Sequence, residues 1–186
     1  MTRIPVMAVD PSLRYTGVAL GHTNPETGSV TIDRVHLIET EKTKTKSIRK
    51  NSDDLRCARH IHDTLNQLRS EWGPVITMVE VPSGTQSARA SWTLGVMLGL
   101  IATWPLPLIE LSATEVKKHF TGDRSASKDR MITRATELHP ELGWLTRGGR
   151  LLNKNEHLAD AVAILHAGVV STQFRELARM LAVRAA

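Results

Sequence analysis

The stretch Val6-Met7-Ala8-Val9-Asp10-Pro11-Ser12 constrains the fold more than any other: four apolar residues end abruptly on a carboxylate and a chain-breaking turn. A strand with one wet face alternates, whereas this run is apolar on both sides, so it predicts a strand covered by helices on both faces that delivers Asp10 to a sheet edge. Thr16-Gly17-Val18-Ala19-Leu20 resumes the apolar pattern as a hairpin partner. The device recurs at Val75-Ile76-Thr77-Met78-Val79-Glu80-Val81, followed by Pro82. Taken alone, Asp10 would serve equally well as a turn cap. Its repetition at Glu80 is what suggests chemistry.

Between these strands, Ser29 to Ile38 alternates as a third antiparallel strand after a Pro-Glu-Thr-Gly turn. Leu55, Ala58, Ile61, Leu65, Leu68 and Trp72 then recur at helical spacing, with Ser52 as the expected N-cap and Trp72-Gly73-Pro74 as the stop. Strand, crossover helix, strand implies parallel pairing, which brings Asp10 and Glu80 to one edge of one sheet. A helix over residues 86–103 carries Gly95 and Gly99 on one face, which suits either close internal packing or a dimer contact. Residues 90–109 contain no charge, but Trp104-Pro105-Leu106-Pro107 splits them into a helix and a strand too short to span a bilayer. Leu108-Ile109-Glu110-Leu111 supplies a last strand, and Ser112-Ala113-Thr114-Glu115 is a capping box. Ser127 caps a further helix. The fold class expected is α/β with a mixed five-stranded sheet, three strands antiparallel and then two parallel, flanked by helices on both faces. At 186 residues this is one domain, 1–186, with 171–186 as a peripheral C-terminal helix.

Residues 140–154 read as irregular, with Arg147-Gly148-Gly149-Arg150 a basic turn. The final core helix starts near Asn155. Glu156 and His157 precede Asp160 by four and three residues, so all three share one face, while Leu158, Ala161, Val162 and Leu165 cover the other. The net charge of +5 favours a polyanionic partner. Lys117, Lys118, Arg124 and Lys128 read as a phosphate-binding region. Lys42, Lys44 and Lys46 lie in a stretch with little to bury, either a solvated connector or a basic arm that tracks phosphates. The single cysteine, Cys57, excludes a disulfide framework within the chain and fits a reducing, cytoplasmic setting.

Carboxylates from several elements converging on one edge are hard ligands for Mg²⁺ or Mn²⁺. Two such ions about 4 Å apart activate a water and stabilise the leaving oxygen of a phosphodiester. In that scheme Asp10 bridges the ions, Glu80 and Asp160 each hold one, and His157 or Glu156 completes a shell or handles a proton. This is nuclease chemistry.

Asp-Pro-Ser-x-x-x-Thr-Gly at 10–17, the strand ending at Glu80, Val116-Lys117, Ser125-Ala126-Ser127-Lys128, and His157-x-x-Asp160-Ala161-x-Ala163 together resemble the RuvC-type Holliday junction resolvases. The resemblance runs from residue 6 to about residue 168, in order. It implies a ribonuclease H-like fold and a homodimer that sets two active sites on a four-way DNA junction and makes paired, Mg²⁺-dependent nicks in DNA recombination and repair. By position it assigns Asp10, Glu80, His157 and Asp160 to the metal site, and Lys117 and Lys128 to DNA. Two departures stand out. Pro82-Ser83-Gly84-Thr85 offers no aromatic where cellular members carry one, and the basic stretch 42–50 with Gln86-Ser87-Ala88-Arg89-Ala90 looks more like bacteriophage members, some of which accept other branched DNAs. Arg89 joins the expected DNA-contacting residues on that ground. The actin and sugar-kinase ATPases share a similar first hairpin, but need a second such domain and a further phosphate turn. A catalytically inert junction-binding protein on the same fold, and a nuclease for another nucleic acid, are the remaining alternatives.

Overall fold

Strand β1 (Ile4–Asp10) lies at the centre of a five-stranded sheet of order β3-β2-β1-β4-β5. The computed structural model describes residues 3–43, 49–82, 84 and 87–185, with side chains as far as residue 181; Lys44 and Lys46 lie outside the described residues. β1 pairs antiparallel with β2 (Tyr15–Thr23), and β2 with β3 (Val30–Glu39). On its other side β1 pairs parallel with β4 (Ile76–Glu80), which pairs parallel with β5 (Leu108–Leu111). This is the mixed sheet the apolar runs predict.

Alternation along the two central strands sorts the core. Met7 and Val9 pack with α1 (Lys50–Trp72) and α2 (Ala88–Ala102), through Cys57, Ile61, Leu65, Met97 and Ile101. Val6 and Ala8 pack on the opposite side with α3 (Ala113–Thr121), α4 (Lys128–Leu138), α5 (Asn155–Val169) and α6 (Thr172–Ala185). Asp10 shares its parity with Val6 and Ala8, and Glu80 shares its parity with Ile76 and Met78 on that same side. Both carboxylates therefore leave the sheet on the face that α5 covers.

Two expectations need correction. Helix α1 starts at Lys50 with Arg49 in the cap position and no side-chain cap, rather than at Ser52. Its first turn is tied down by Asp53 instead, whose carboxylate accepts the Thr43 N–H and the Arg56 guanidinium. Residues 140–154 are not all irregular: β6 (Thr146–Arg147) and β7 (Arg150–Leu151) form a small hairpin closed by Gly148 and Gly149, whose φ values of 57° and 75° suit a two-residue turn. Asn155, fully buried, fastens this segment to the start of α5 by bonding the Leu145 N–H at 2.9 Å and the Leu145 carbonyl at 2.8 Å.

The capping box at Ser112 and Glu115 and the Ser127 cap form as the sequence predicts. Pro105 and Pro107 separate α2 from β5, and among the described residues no helix is long and apolar enough to cross a membrane. The glycines of α2 do not serve internal packing. A Cβ at Gly95 or Gly99 would meet nothing within 4 Å, and the face that carries them is exposed together with Trp92 and Leu98.

Candidate active site

The turn after β1 is closed by Thr16, whose hydroxyl donates to the Ser12 carbonyl at 2.6 Å and accepts from the Ser12 N–H. The Asp-Pro-Ser-x-x-x-Thr spacing is thus the stitching of the loop that holds Asp10 at the strand end. Gly17 sits directly opposite Asp10 in the β1–β2 register. A Cβ on Gly17 would lie 1.9 Å from the His157 carbonyl oxygen, so only glycine lets the first turn of α5 rest on the sheet beside Asp10. Glu80 lies on the neighbouring parallel strand one residue beyond the Val9–Val79 pair, level with Asp10.

These elements bring the candidate residues together. His157 Nδ1 is 2.8 Å from Asp10 Oδ2, and its Nε2 is 3.4 Å from Glu156 Oε1. Glu156 in turn binds the Lys128 ammonium at 2.7 Å. Tyr15 stacks on the His157 ring with centroids 5.6 Å apart, and Lys154, paired with Glu39, lies over the other ring at 5.0 Å. Sequence reasoning missed Tyr15. Its one available signal was its place in the Asp10 loop, which does not reveal a contact across 142 positions of chain.

Burial pushes the carboxyls of Glu80 and Asp160 up to about 7 each, and the negative charge of Asp10 adds to the effect in both. Lys117 opposes the shift in both groups, so its ammonium stands near enough to act on the same charges. For His157, burial is the largest single influence and pulls its pKa down. The hydrogen bond donated to Asp10, with the charges of Asp10, Glu156 and Asp160, outweighs it and leaves the ring more basic than usual. Lys128 is likewise raised, first by its bond to Glu156. Burial and the charge of Asp10 thus both disfavour the ionised forms of Glu80 and Asp160, and Lys117 offsets this only in part.

The donor set suits a hard divalent cation in kind. As posed, no three His, Cys, Asp or Glu side chains among the described residues are gathered closely enough to hold one. Asp10 spends one oxygen on His157, and Glu156 is occupied by Lys128 and His157. Gathering these ligands about a cation would require Asp10 to exchange its contact with His157.

The remaining candidates separate into two places. Lys118 and Arg124 are exposed on the α3–α4 side, near Lys117 and Lys128. Lys42 and Arg89 lie on the α1–α2 side around a different cavity, where Arg89 is bound to Asp54 at 2.6 Å.

No protein-family model matches the chain, and no curated protein sequence matches it. Solved structures do. Thermus thermophilus RuvC in complex with a Holliday junction substrate superposes with a TM-score of 0.64 at 19% identity, over 95% of this chain and 96% of that one. The chain has a ribonuclease H-like fold. A second structure of RuvC from the same organism gives 0.58 at 18% identity, again over 95% and 96%. Ydc2, the yeast mitochondrial Holliday junction resolvase, gives 0.59 at 13% identity over 97% of this chain and 84% of its own. At these identities the likeness is one of fold, and the site must be argued from its own residues.

Raised carboxyl pKa values carry a sign. Between the ordinary carboxyl range and about 7, the folded protein holds protons on Glu80 and Asp160 that the unfolded chain has released. Their contribution to stability is therefore greatest below pH 4 and is lost progressively as pH rises from there to about 7. Chemical denaturation of the metal-free protein should show stability falling across that window. Millimolar Mg²⁺ at pH 8 should restore it, whereas Asp10→Asn should flatten the pH dependence.

Proposed function

We propose that this protein is a Mg²⁺-dependent, structure-selective endonuclease of the RuvC type that nicks branched DNA, four-way junctions above all. The observation that carries the reading is the arrangement of Asp10, Glu80 and Asp160, from two strands and a helix, at one half-buried centre where the charge of Asp10 helps to raise both of the other carboxyls. Such a centre costs stability unless a cation joins it. Asp10, Glu80 and Asp160 would hold the metal, with His157 or Glu156 as the further ligand; bound there, Mg²⁺ or Mn²⁺ supplies Lewis-acid charge to the scissile phosphate and to the attacking water.

His157 lies between Asp10 and Glu156, placed to complete the metal shell or to handle a proton, and Tyr15 stacks on its ring. Lys117 stands ready to offset charge that develops on the phosphate, while Lys128 anchors Glu156. Lys118 and Arg124 extend the same basic side along the DNA backbone. One nuclease domain spans the chain, acting in a reducing, cytoplasmic compartment. The lack of an aromatic after Pro82 favours broad choice among branched substrates, as in bacteriophage members.

The test is cleavage of labelled four-way junction, flap and plain duplex with Mg²⁺ or EDTA. Symmetric nicks in branched DNA alone, abolished by EDTA, are expected; no cleavage of any DNA removes the nuclease reading. Paired nicking needs two sites, and the exposed face of α2 with Trp92, Gly95, Leu98 and Gly99 is where a second copy would pack. Gly99→Glu should convert a dimer to monomer in analytical ultracentrifugation and leave unpaired nicks. Unaltered dimer mass would place the contact elsewhere.

A further inference from the structure

On the α1–α2 side of the sheet, at the same strand ends that carry Asp10 and Glu80, lies a cavity of about 280 Å³ lined by Arg14, Lys42, Thr43, Lys50, Asp53, Asp54 and Arg89. The active-site argument uses none of it. Arg14 comes from the β1–β2 loop, Arg89 from the first turn of α2, and the two aspartates from the first turns of α1.

Two adjacent aspartates, Asp53 at 6% and Asp54 at 1% exposure, are an expensive thing to bury. Each is fully occupied. Asp54 accepts from Arg89 at 2.6 Å and Arg14 at 3.4 Å on one oxygen, and from the Trp92 indole N–H at 3.1 Å on the other. Asp53 binds Arg56 at 2.8 Å, Arg14 at 3.5 Å and the Thr43 N–H at 3.3 Å, and the Arg56 hydrogen bond leads in holding its carboxyl below the usual range. The consequence is that Arg14 and Arg89, flexible side chains elsewhere, are fixed at the cavity wall by charge-assisted bonds. Neither spends all its N–H donors on the aspartates.

Lys42 and Lys50 have no ion-pair or hydrogen-bond partner among the described residues. Four cationic side chains against two carboxylates leave two positive charges uncompensated in the cavity. Among the described residues the lining holds no aromatic side chain and no Leu, Ile, Val or Met to select a base or an acyl group. Its chemistry recognises an anion with several acceptor oxygens and little else.

We infer that this cavity is a phosphate-binding site for the DNA backbone, separate from the catalytic carboxylates, in which buried Asp53 and Asp54 position Arg14 and Arg89 while Lys42 and Lys50 supply free charge. The inference rests on the nucleic-acid reading above and extends it to the opposite face of the sheet. A strand crossing the edge between β1 and β4 is then gripped on both sides of the reacting phosphodiester. Arg14, Lys50 and the aspartates are the residues sequence reasoning did not assign.

The experiment is equilibrium binding of a fluorescent four-way junction, in EDTA so that nothing is cut, across a series of salt concentrations. Lys42→Ala/Lys50→Ala should bind about 5-fold more weakly, with the slope of log K against log salt reduced by about 0.9, the loss of one phosphate contact. Its thermal midpoint should match wild type, since neither lysine holds the fold. Arg59→Ala/Arg69→Ala removes the same charge farther along α1 and should leave the slope unchanged. An unaltered slope in the lysine variant, or an equal change in the control, overturns the site. Inorganic phosphate that stabilises wild type but not the lysine variant, with DNA affinity the same in both, overturns the backbone assignment in favour of a free anion. Failure of wild type to bind any DNA overturns both this inference and the nuclease reading, whereas binding with an unaltered slope overturns only this one.

Discussion

Asp10→Asn should abolish DNA cleavage while junction binding stays within a few-fold of wild type. The substitution keeps the shape and one acceptor oxygen of the side chain but removes the charge that Glu80 and Asp160 both respond to. A carboxylate shared by the metal centre contributes several kcal/mol to the transition state, so a loss of about a thousandfold or more is expected in single-turnover rate. In the proposed reading the backbone phosphates are held by Lys117, Lys118, Arg124 and the cations across the sheet, so affinity should survive. The same variant relieves the repulsion on its neighbours, so Glu80 and Asp160 should titrate closer to ordinary carboxyl values. Carboxyl NMR would read that shift independently of activity. A variant that cut at wild-type rate would remove Asp10 from the chemistry.

Gly17→Ala is expected to cost about 3 kcal/mol or more in denaturant unfolding, the upper end for an overpacked interior. The added methyl would overlap the His157 carbonyl, a backbone atom at 1.9 Å that cannot rotate away. Relief requires α5 to lift from β2, which carries His157 away from Asp10 and Asp160 away from Glu80. Cleavage should fall with stability, and more steeply. Gly168→Ala supplies the contrast: there the new methyl meets Met78 Sδ at 2.3 Å and Cγ at 2.9 Å, side-chain atoms that can re-orient where a backbone carbonyl cannot, so a smaller cost and retained activity are expected. Equal losses at the two positions would mean that the α5 approach is not what places the site.

The sheet was legible because its centre is written in local pattern. Val6 to Val9 and Ile76 to Val79 are apolar on both faces and end on carboxylates, and the strand pairing follows from a hairpin and a crossover. The order β3-β2-β1-β4-β5 then leaves Asp10 and Glu80 neighbours. The helix face of Glu156, His157 and Asp160 was legible by spacing for the same reason. What escaped are contacts that no local pattern encodes. Tyr15 on His157, and Arg14 and Arg89 on Asp54, join residues far apart in the chain. Asp53 and Asp54 stand among polar residues at a helix start, where nothing local marks them as buried, and only their arginine partners make their burial tolerable. Gly17 carried a signal, in that a glycine opposite the strand-end aspartate invites a close approach, but which backbone approaches depends on α5, about 140 residues on.

The most direct test of the account is calorimetric titration of the wild-type protein with Mn²⁺ at pH 7.5 in the absence of DNA, alongside Asp10→Asn and Asp160→Asn. The account predicts binding of two ions per chain, release of protons from the carboxyls that sit near pH 7, and loss of binding in both variants. Equal heats and proton release in wild type and both variants, or no binding in any of them, would contradict the claim that these carboxylates form a metal site.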